Sequence, residues 1–230
     1  IADPVWSLLF VIVAASLIYQ TSMTPGKMLV LACVGLWGIR LSLHLLIRFI
    51  GEEHEDPRYQ AFRRQFGVDR YWWVSYFQVF ILQGVLAFIV SAPLQVAGTA
   101  AGEDPLMVND WIGLVFFAVG LYFEVVGDWQ LTQFKKDPAM KGKVLNTGLW
   151  RYTRHPNYFG DTCLWWGLWL MCLDQPLGLA SIVGPLVMSF LLMRVSGVPM
   201  LEHRMKKTRE GYEDYVKQTS AFFPRPPKAL

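Results

Sequence analysis

The polar stretch from Asn146 to Asp161 carries the side chains of this sequence that are best suited to bind a charged ligand. It reads Asn-Thr-Gly-Leu-Trp-Arg-Tyr-Thr-Arg-His-Pro-Asn-Tyr-Phe-Gly-Asp. Guanidinium groups bind phosphates through paired hydrogen bonds, while an amide and a carboxylate can orient a ring or a ribose. An almost wholly apolar run, residues 162–173, follows directly, and polar groups beside a membrane helix are costly unless something uses them. The stretch therefore predicts a site for a phosphate-bearing ligand.

The elements that must position this stretch are predicted to be membrane-spanning helices. Of the 230 residues, 53% are hydrophobic and 17% are charged, whereas about 25% of the residues of an average soluble chain are charged. Six segments approach the roughly 20 apolar residues that a spanning helix needs, although the first and fifth are short. We therefore predict an all-α fold, a polytopic helix bundle forming one transmembrane domain over residues 1–230. The six predicted helices lie at 5–20, 28–47, 74–96, 111–127, 158–173 and 177–200.

The positive charges predict the topology. The sequence has 21 Lys and Arg residues, and 18 of them lie within 48–70, 135–154 and 204–228. These regions follow the second, fourth and sixth predicted helices, so with six spans they share one side of the membrane. The positive-inside rule makes that side cytoplasmic. We therefore expect an integral membrane protein with its basic loops and its C-terminus in the cytoplasm.

Ionisable residues inside or beside apolar segments are candidates for function, because a charge within a membrane is costly. The alternative for the arginines is that they reach the interface or form structural ion pairs. Four loop lysines would concentrate an anion near the polar stretch from Asn146 to Asp161, which we call the motif. Alternatively, these lysines mark topology and bind anionic lipid. The intramembrane candidates are Arg40, His44, Glu124, Asp128 and Arg194, and the loop lysines are Lys135, Lys136, Lys141 and Lys143.

Three carboxylates are candidates for acid catalysis. Asp3 lies at the start of the first predicted helix, where it is either an N-cap or a partly buried acid that stays protonated and donates a hydrogen bond. Glu52 and Glu53 lie in an acidic loop segment, and the alternative for such segments is solvated surface. No metal site is expected, because the histidines and cysteines show no ligand spacing.

The motif resembles the steroid 5-alpha-reductase family. The similarity is carried by residues 145–161, by Arg194 and Glu202, and by Gly-Tyr-Glu-Asp-Tyr and Phe-Phe-Pro in the tail. Sterol C14-reductases carry a similar motif, and Arg-Phe-Ile-Gly-Glu-Glu-His-Glu-Asp-Pro-Arg-Tyr upstream resembles the bacterial branch. The resemblance implies seven transmembrane helices, hence one before Ile1, in a bacterial inner membrane. It also implies NADPH as the cofactor, bound by residues 111–230, with residues 1–97 on the substrate side.

By position, the resemblance also implies a catalytic set and a cofactor site. In animal steroid reductases a Gln-Glu pair and a Tyr meet the substrate carbonyl. Asp3 best matches that Glu, with Ala2 in place of the Gln, and Trp37 replaces the Tyr. Glu52 and Glu53 are the alternatives to Asp3 as the hydrogen-bond donor. The implied cofactor-binding residues are Gln133, Lys136, Lys143, Asn146, Arg151, Tyr152, Arg154, His155, Asn157, Tyr158, Asp161, Arg194, Glu202, Tyr212 and Tyr215.

The function predicted from these residues is that of an NADPH-dependent membrane oxidoreductase that acts on CH–CH groups. It would transfer a hydride to the β-carbon of a lipid-like enone while a donor polarises the carbonyl. The family-level expectation is a 3-oxo-4-ene steroid that enters from the bilayer. Its expected partners are this substrate and membrane lipids, with neither a nucleic acid nor a protein partner.

Two other functions stay open. Isoprenylcysteine carboxyl methyltransferases share a similar Arg-His-Pro-x-Tyr segment and use S-adenosylmethionine. Asn157 and Asp161 instead follow the reductase form, and Glu202 followed by His203 differs from the paired glutamates of the methyltransferases. The basic loop also suits a tetra-anionic dinucleotide better than a sulfonium zwitterion. A transporter or lipid-binding protein is the third reading, and no internal repeat supports it.

Overall fold

The computed structural model describes residues 2–51, 57–100, 103–195 and 197–228, without the side chains of residues 2, 3, 57–59, 61, 62 and 68. Over these residues the regular secondary structure is helical and includes no strand, which confirms the predicted all-α fold class. Short 3-10 turns at Pro138–Met140, Gly148–Arg151 and Ala180–Ile182 and π-helical turns at Tyr76–Ile81 and Leu191–Val195 join the helices. Helices α1 to α11 are Ala2–Tyr19, Pro25–Gly51, Pro57–Phe66, Val68–Ser75, Leu82–Val90, Ala92–Thr99, Val108–Lys136, Pro156–Leu170, Val183–Phe190, Val198–Thr208 and Tyr212–Gln218.

Within the described part of the chain, four helical stretches are long and apolar enough to cross a membrane. They correspond to the second, third, fourth and sixth predicted segments. The first and fifth predicted segments fall on α1 and on α8, which has only 15 residues. The number of crossings and their orientation therefore stay predictions. The four stretches are Pro25–Gly51, Asp69–Val90, Val108–Lys136 and Ala180–Thr208.

The chain forms two compact units. One comprises Ile1–Leu106 and Asp174–Val183, and the other comprises Met107–Leu173 and Gly184–Leu230. All of the predicted cofactor-binding residues belong to the second unit, whereas the predicted catalytic residues belong to the first. Each unit has its own packed interior.

In the first unit, α1 packs against α2 and α6. The Ser7 hydroxyl donates a hydrogen bond to the Gly38 carbonyl oxygen at 3.0 Å. A side chain at Gly38 would meet the Ser7 backbone and Val11, so only glycine permits this approach of α1 to α2. Phe10 and Trp37 have no exposed surface, and their ring centres lie 5.8 Å apart. The interior of this unit is therefore a helix interface filled by aromatic side chains.

A buried polar network closes one end of the same unit. The Lys27 ammonium group, which has no exposed surface, donates a hydrogen bond to the Thr21 hydroxyl at 2.8 Å. Asp104 accepts hydrogen bonds from the Thr24 hydroxyl at 3.0 Å and from the Gln175 amide at 2.6 Å. Burying charged groups is favourable only when they are paired with donors and acceptors in this way. The network joins three connections that are far apart in sequence.

In the second unit, α7 and α8 pack through interlocking glycines. Gly113, Gly120 and Gly127 are spaced seven residues apart and so lie on one face of α7, as Gly160 and Gly167 do on α8. A Cβ at Gly120 would lie 2.5 Å from the Gly160 carbonyl oxygen, and a Cβ at Gly113 would lie 2.6 Å from that of Gly167. Small residues let helix backbones approach closely in this way. The spacing between α7 and α8 is therefore set by their backbones.

We expect Gly120→Ala to lower the stability of the protein by about 1–3 kcal/mol, the range typical of overpacked sites. The added methyl group would lie 2.5 Å from the backbones of Gly160 and Leu164, which cannot move without separating α7 from α8. Gly84→Ala is the matched control, because no atom lies within 4 Å of its Cβ position. Thermal unfolding in detergent measures both variants. Equal melting temperatures would contradict the glycine packing.

Candidate functional site

The 3-10 turn Gly148–Arg151 is docked on the end of α7. The Leu149 N–H donates a hydrogen bond to Gln130 Oε1 at 3.0 Å, and the Trp150 indole donates to the Gly127 carbonyl oxygen at 3.1 Å. Gly148 has a φ of 58°, and a Cβ there would collide with the Gln130 side chain. Both its backbone conformation and its close approach require glycine. This turn places the beginning of the motif against α7.

The C-terminal tail is bonded along the same motif. The Thr153 hydroxyl donates to the Phe222 carbonyl oxygen at 2.7 Å. The Arg225 N–H donates to the Tyr152 carbonyl oxygen at 3.0 Å. The Tyr215 hydroxyl donates to the carbonyl oxygen of Trp150. These contacts join residues about 65 to 73 positions apart, so the motif and the tail form one structural element.

Arg154 is the central residue of this contact. Its Nε and Nη2 atoms lie 2.8 Å and 2.6 Å from Glu202 Oε1, and its Nη1 donates to the carbonyl oxygens of Val216 and Thr219. Only 8% of the residue is exposed. His155 Nε2 lies 3.5 Å from the same Glu202 oxygen, which is at the outer limit of a hydrogen bond. The guanidinium group predicted to bind phosphate therefore holds the tail in place.

The first turn of α8 presents polar side chains towards α7. The Asn157 amide Nδ2 donates to Asp128 Oδ1 at 3.1 Å, and Asn157 Oδ1 accepts from the Tyr158 N–H at 3.1 Å. The Tyr158 ring is stacked on His155, with 5.5 Å between ring centres and 5° between planes. Asp161 follows one turn later on α8 and is partly buried. These contacts fix which atoms of the Asn157 amide donate and which accept.

Two tyrosines of α11, Tyr212 and Tyr215, are buried near Arg154 and Glu202. Burial, together with the negative charge of Glu202, raises the pKa of Tyr212 to about 12. Burial also raises the pKa of Tyr215, with a smaller contribution from Tyr212. Both phenols therefore stay neutral at physiological pH. The Tyr215 hydroxyl serves as a structural hydrogen-bond donor to the carbonyl oxygen of Trp150.

Two adjoining hollows lie between the loop after α7 and the tail, and both are lined by Asn146 and Gln218. We call them together the basic cleft. The larger hollow has a volume of about 500 Å³, and the smaller one has a volume of about 370 Å³. The polar residues of the larger hollow are Lys141, Lys143, Asn146, Glu210, Asp214, Tyr215 and Gln218. Those of the smaller hollow are Asn146, Arg151, Gln218, Thr219 and Lys228.

The structure brings together most of the predicted cofactor-binding residues, but in two groups. Lys143, Asn146, Arg151 and Tyr215 line the basic cleft. A second group surrounds Glu202 or the start of α8. Gln133, Lys136 and Arg194 are exposed and line neither hollow, and Tyr152 contacts the tail through its backbone. The second group is Arg154, His155, Asn157, Tyr158, Asp161, Glu202 and Tyr212.

The predicted catalytic residues stay predictions. Glu52 and Glu53 lie outside the described residues, and Asp3 belongs to α1 but its side chain is not described. Trp37 is fully buried beside Phe10. A side chain with no exposed surface faces no open cavity, so in this conformation Trp37 fills the interface between α1 and α2.

Residues outside the predicted cofactor-binding set also enter the site. Asp128 accepts a hydrogen bond from Asn157. The sequence had marked it only as a carboxylate within an apolar helix. Gln218 and Lys228 line the basic cleft, and no motif marks either of them. Among the described residues, no group of three or more His, Cys, Asp and Glu side chains could hold a metal ion. The basic and amide side chains that line the basic cleft are groups that can bind an anion.

Comparison with known proteins gives a family and two partial relatives. A family model with the description protein of unknown function, DUF1295, matches residues 1–219. The probable O-methyltransferase ustE of Ustilaginoidea virens is 38% identical over 79 residues, which are 34% of this chain and 27% of that protein. An uncharacterized protein of Schizosaccharomyces pombe is 27% identical over 113 residues, 41% of this chain and 33% of that protein. The matches thus span about a third or less of these relatives, and no solved structure matches significantly.

We expect Arg154→Lys to loosen the tail while leaving the helices folded. The donors of an ammonium group lie on one nitrogen atom, whereas Arg154 reaches Glu202 and two carbonyl oxygens through three separate nitrogen atoms, so lysine cannot reproduce the contacts. The expected loss is about 1–3 kcal/mol of local stability, measured as faster hydrogen–deuterium exchange over residues 212–228. Arg204→Lys, at an exposed position of α10, is the matched control. Unchanged protection of the tail in Arg154→Lys would show that Arg154 does not anchor it.

Proposed function

We propose a function for this chain from the premise that it belongs to the DUF1295 family, within the steroid 5-alpha-reductase-like superfamily. The proposed activity is that of an NADPH-dependent membrane reductase. Its substrate would be a lipid-like enone, with a 3-oxo-4-ene steroid as the first candidate, and its product the saturated ketone. The superfamily supports a membrane enzyme, and the choice of cofactor rests on the site.

The observation that carries the proposal is the charge of the basic cleft. Its lining includes two carboxylates, Glu210 and Asp214, but these are outnumbered by four cations, Lys141, Lys143, Arg151 and Lys228. A concentration of cations on one surface attracts polyanions, and NADPH carries a pyrophosphate and a third phosphate group. S-adenosylmethionine carries one carboxylate and two positive centres, so the same cations would disfavour it. The residues present therefore suit a phosphorylated dinucleotide.

Asn157 supports the position of the redox-active ring. An amide NH2 group has two donors, and Asp128 accepts one of them in the described structure. We assign the second donor to the carboxamide of the nicotinamide. Asp161, one turn along α8, would bind the adjoining ribose. Lys143, Asn146 and Arg151 would then bind the phosphate-bearing end of the cofactor in the basic cleft.

Reduction of an enone needs a hydride at the β-carbon, a donor to the carbonyl oxygen and a proton at the α-carbon. The bound reduced nicotinamide supplies the hydride. We assign carbonyl polarisation to Asp3 in its protonated form, with Glu52 and Glu53 as alternatives, because a fixed donor stabilises the negative charge that develops on oxygen. A side chain or water then protonates the α-carbon.

One observation favours a second candidate, an S-adenosylmethionine-dependent methyltransferase. The relative from Ustilaginoidea virens carries the name probable O-methyltransferase, and 34% of this chain matches it. The match covers 27% of that protein, and the cations of the basic cleft suit a sulfonium ligand less well. The two candidates differ in the ligand that they bind, so one experiment separates them.

We expect NADPH, and not S-adenosylmethionine, to raise the melting temperature of the detergent-solubilised protein. A ligand that binds only the folded state stabilises it by about 2.7 kcal/mol at a concentration of 100 times its Kd. NADPH, NADH and S-adenosylmethionine are titrated in parallel, with the heat-denatured protein as the control for nonspecific binding. Stabilisation by S-adenosylmethionine alone would favour the methyltransferase. No shift with any of the three would overturn both enzyme assignments.

A further inference from the structure

We propose that the smaller hollow of the basic cleft is a phosphomonoester subsite in which Lys228 and Arg151 select NADPH over NADH. This inference rests on the proposed function, because it names the part of the site that reads the 2′-phosphate. It also assigns a binding role to Lys228 in the C-terminal tail. NADH lacks that phosphate, so it would bind without using the subsite.

The lining of the smaller hollow has the chemistry of a phosphate site. Two cations, Arg151 and Lys228, line it together with the amides of Asn146 and Gln218 and the hydroxyl of Thr219. The residues that line it include no carboxylate. A guanidinium group can bind two phosphate oxygens at once, while an ammonium group adds a point charge and amides add further donors. A volume of about 370 Å³ leaves space for a phosphate group and its ribose.

Hydrogen bonds to the backbones of Lys228 and Arg151 position both residues at this hollow. The Lys228 N–H donates to the Gln218 carbonyl oxygen at 3.0 Å, and the Thr219 hydroxyl lies 3.4 Å from the Arg151 carbonyl oxygen. The tail is thus bonded to α11, and α11 is bonded to the turn that carries Arg151. Both side chains are exposed, so water and salt screen their mutual repulsion and an anion from solution can reach both. This arrangement suits a dianion, which would interact with both cations at once.

The larger hollow has a different chemistry, which makes the smaller hollow the better site for the phosphate. Glu210 and Asp214 line it as well as Lys141 and Lys143. Asp214 is also bonded to Lys217, with 2.8 Å between Nζ and Oδ1. Carboxylates repel a phosphate but accept hydrogen bonds from hydroxyl and amino groups. The larger hollow therefore suits the neutral polar part of an adenosine, and the smaller hollow suits its phosphate.

The test measures the dissociation constants of NADPH and NADH for the full chain in nanodiscs. We expect Lys228→Gln to weaken NADPH binding about tenfold, the usual effect of losing one charged hydrogen bond, and to change NADH binding by less than about twofold. Lys228→Arg keeps the charge and should keep the preference. Arg225→Gln is the matched control, because it removes an exposed tail charge that lines neither hollow.

Adenosine 2′,5′-bisphosphate and adenosine 5′-monophosphate test the subsite without the nicotinamide. We expect the bisphosphate to compete with NADPH in the wild type and to lose its advantage in Lys228→Gln. If NADPH and NADH both bind but Lys228→Gln leaves their ratio unchanged, the subsite is wrong while the proposed function stands. If neither dinucleotide binds the wild type, the proposed function fails, and this inference fails with it.

A lipid phosphate is the other source of the same chemistry. The binding measurements are therefore repeated in nanodiscs of phosphatidylcholine alone and of phosphatidylcholine with phosphatidic acid. The inference predicts the same Lys228-dependent preference for NADPH in both. If Lys228→Gln changes only the binding of phosphatidic acid, the hollow is a lipid headgroup site and dinucleotide selection by Lys228 is excluded.

Discussion

The close packing of α7 against α8 is the constraint on which the rest of the second unit depends. Glycines on both helices remove the side chains that would hold the backbones apart, and Gly120 and Gly160 each lie against the other's carbonyl oxygen. This spacing lets Asp128 of α7 reach Asn157 of α8. It also brings the beginning of α8 close to Gly127, to which the Trp150 indole is bonded. The backbone contact between α7 and α8 thus sets the positions of the Asn157 amide and of the motif.

Pairing of polar groups explains how this arrangement is tolerated in an apolar chain. An unpaired charge near a membrane is costly, and the charges of Arg154 and Glu202 are paired with each other. Arg154 binds a carboxylate and two carbonyl oxygens. This pairing anchors α11 and the tail, and the tail in turn forms one wall of the basic cleft. The ion pair at Glu202 therefore helps to shape the basic cleft by fixing the position of the tail.

The sequence predicted the features of the fold that follow from local composition. Apolar segments gave the all-α class and matched all four long helices, because hydrophobicity and helix length are local properties. It did not predict that Arg154 would bind the tail, since a guanidinium group suits a phosphate and a carboxylate equally. It also did not mark Lys228, because a lysine near a chain end has no signature until the tail folds back. Gly148 was visible in the motif, but its contact with Gln130 depends on packing.

The assignment of a reductase depends on hydride transfer, so the most direct measurement follows the hydrogen itself. The purified full chain is incubated with a 3-oxo-4-ene steroid and NADPH deuterated at C4 of the nicotinamide, using both stereoisomers. We expect one isomer to deliver deuterium to the β-carbon of a saturated ketone, detected by mass spectrometry and NMR. A saturated product without deuterium from either isomer would contradict hydride transfer from NADPH. A methylated product formed with S-adenosylmethionine, and no reduction, would contradict the account as a whole.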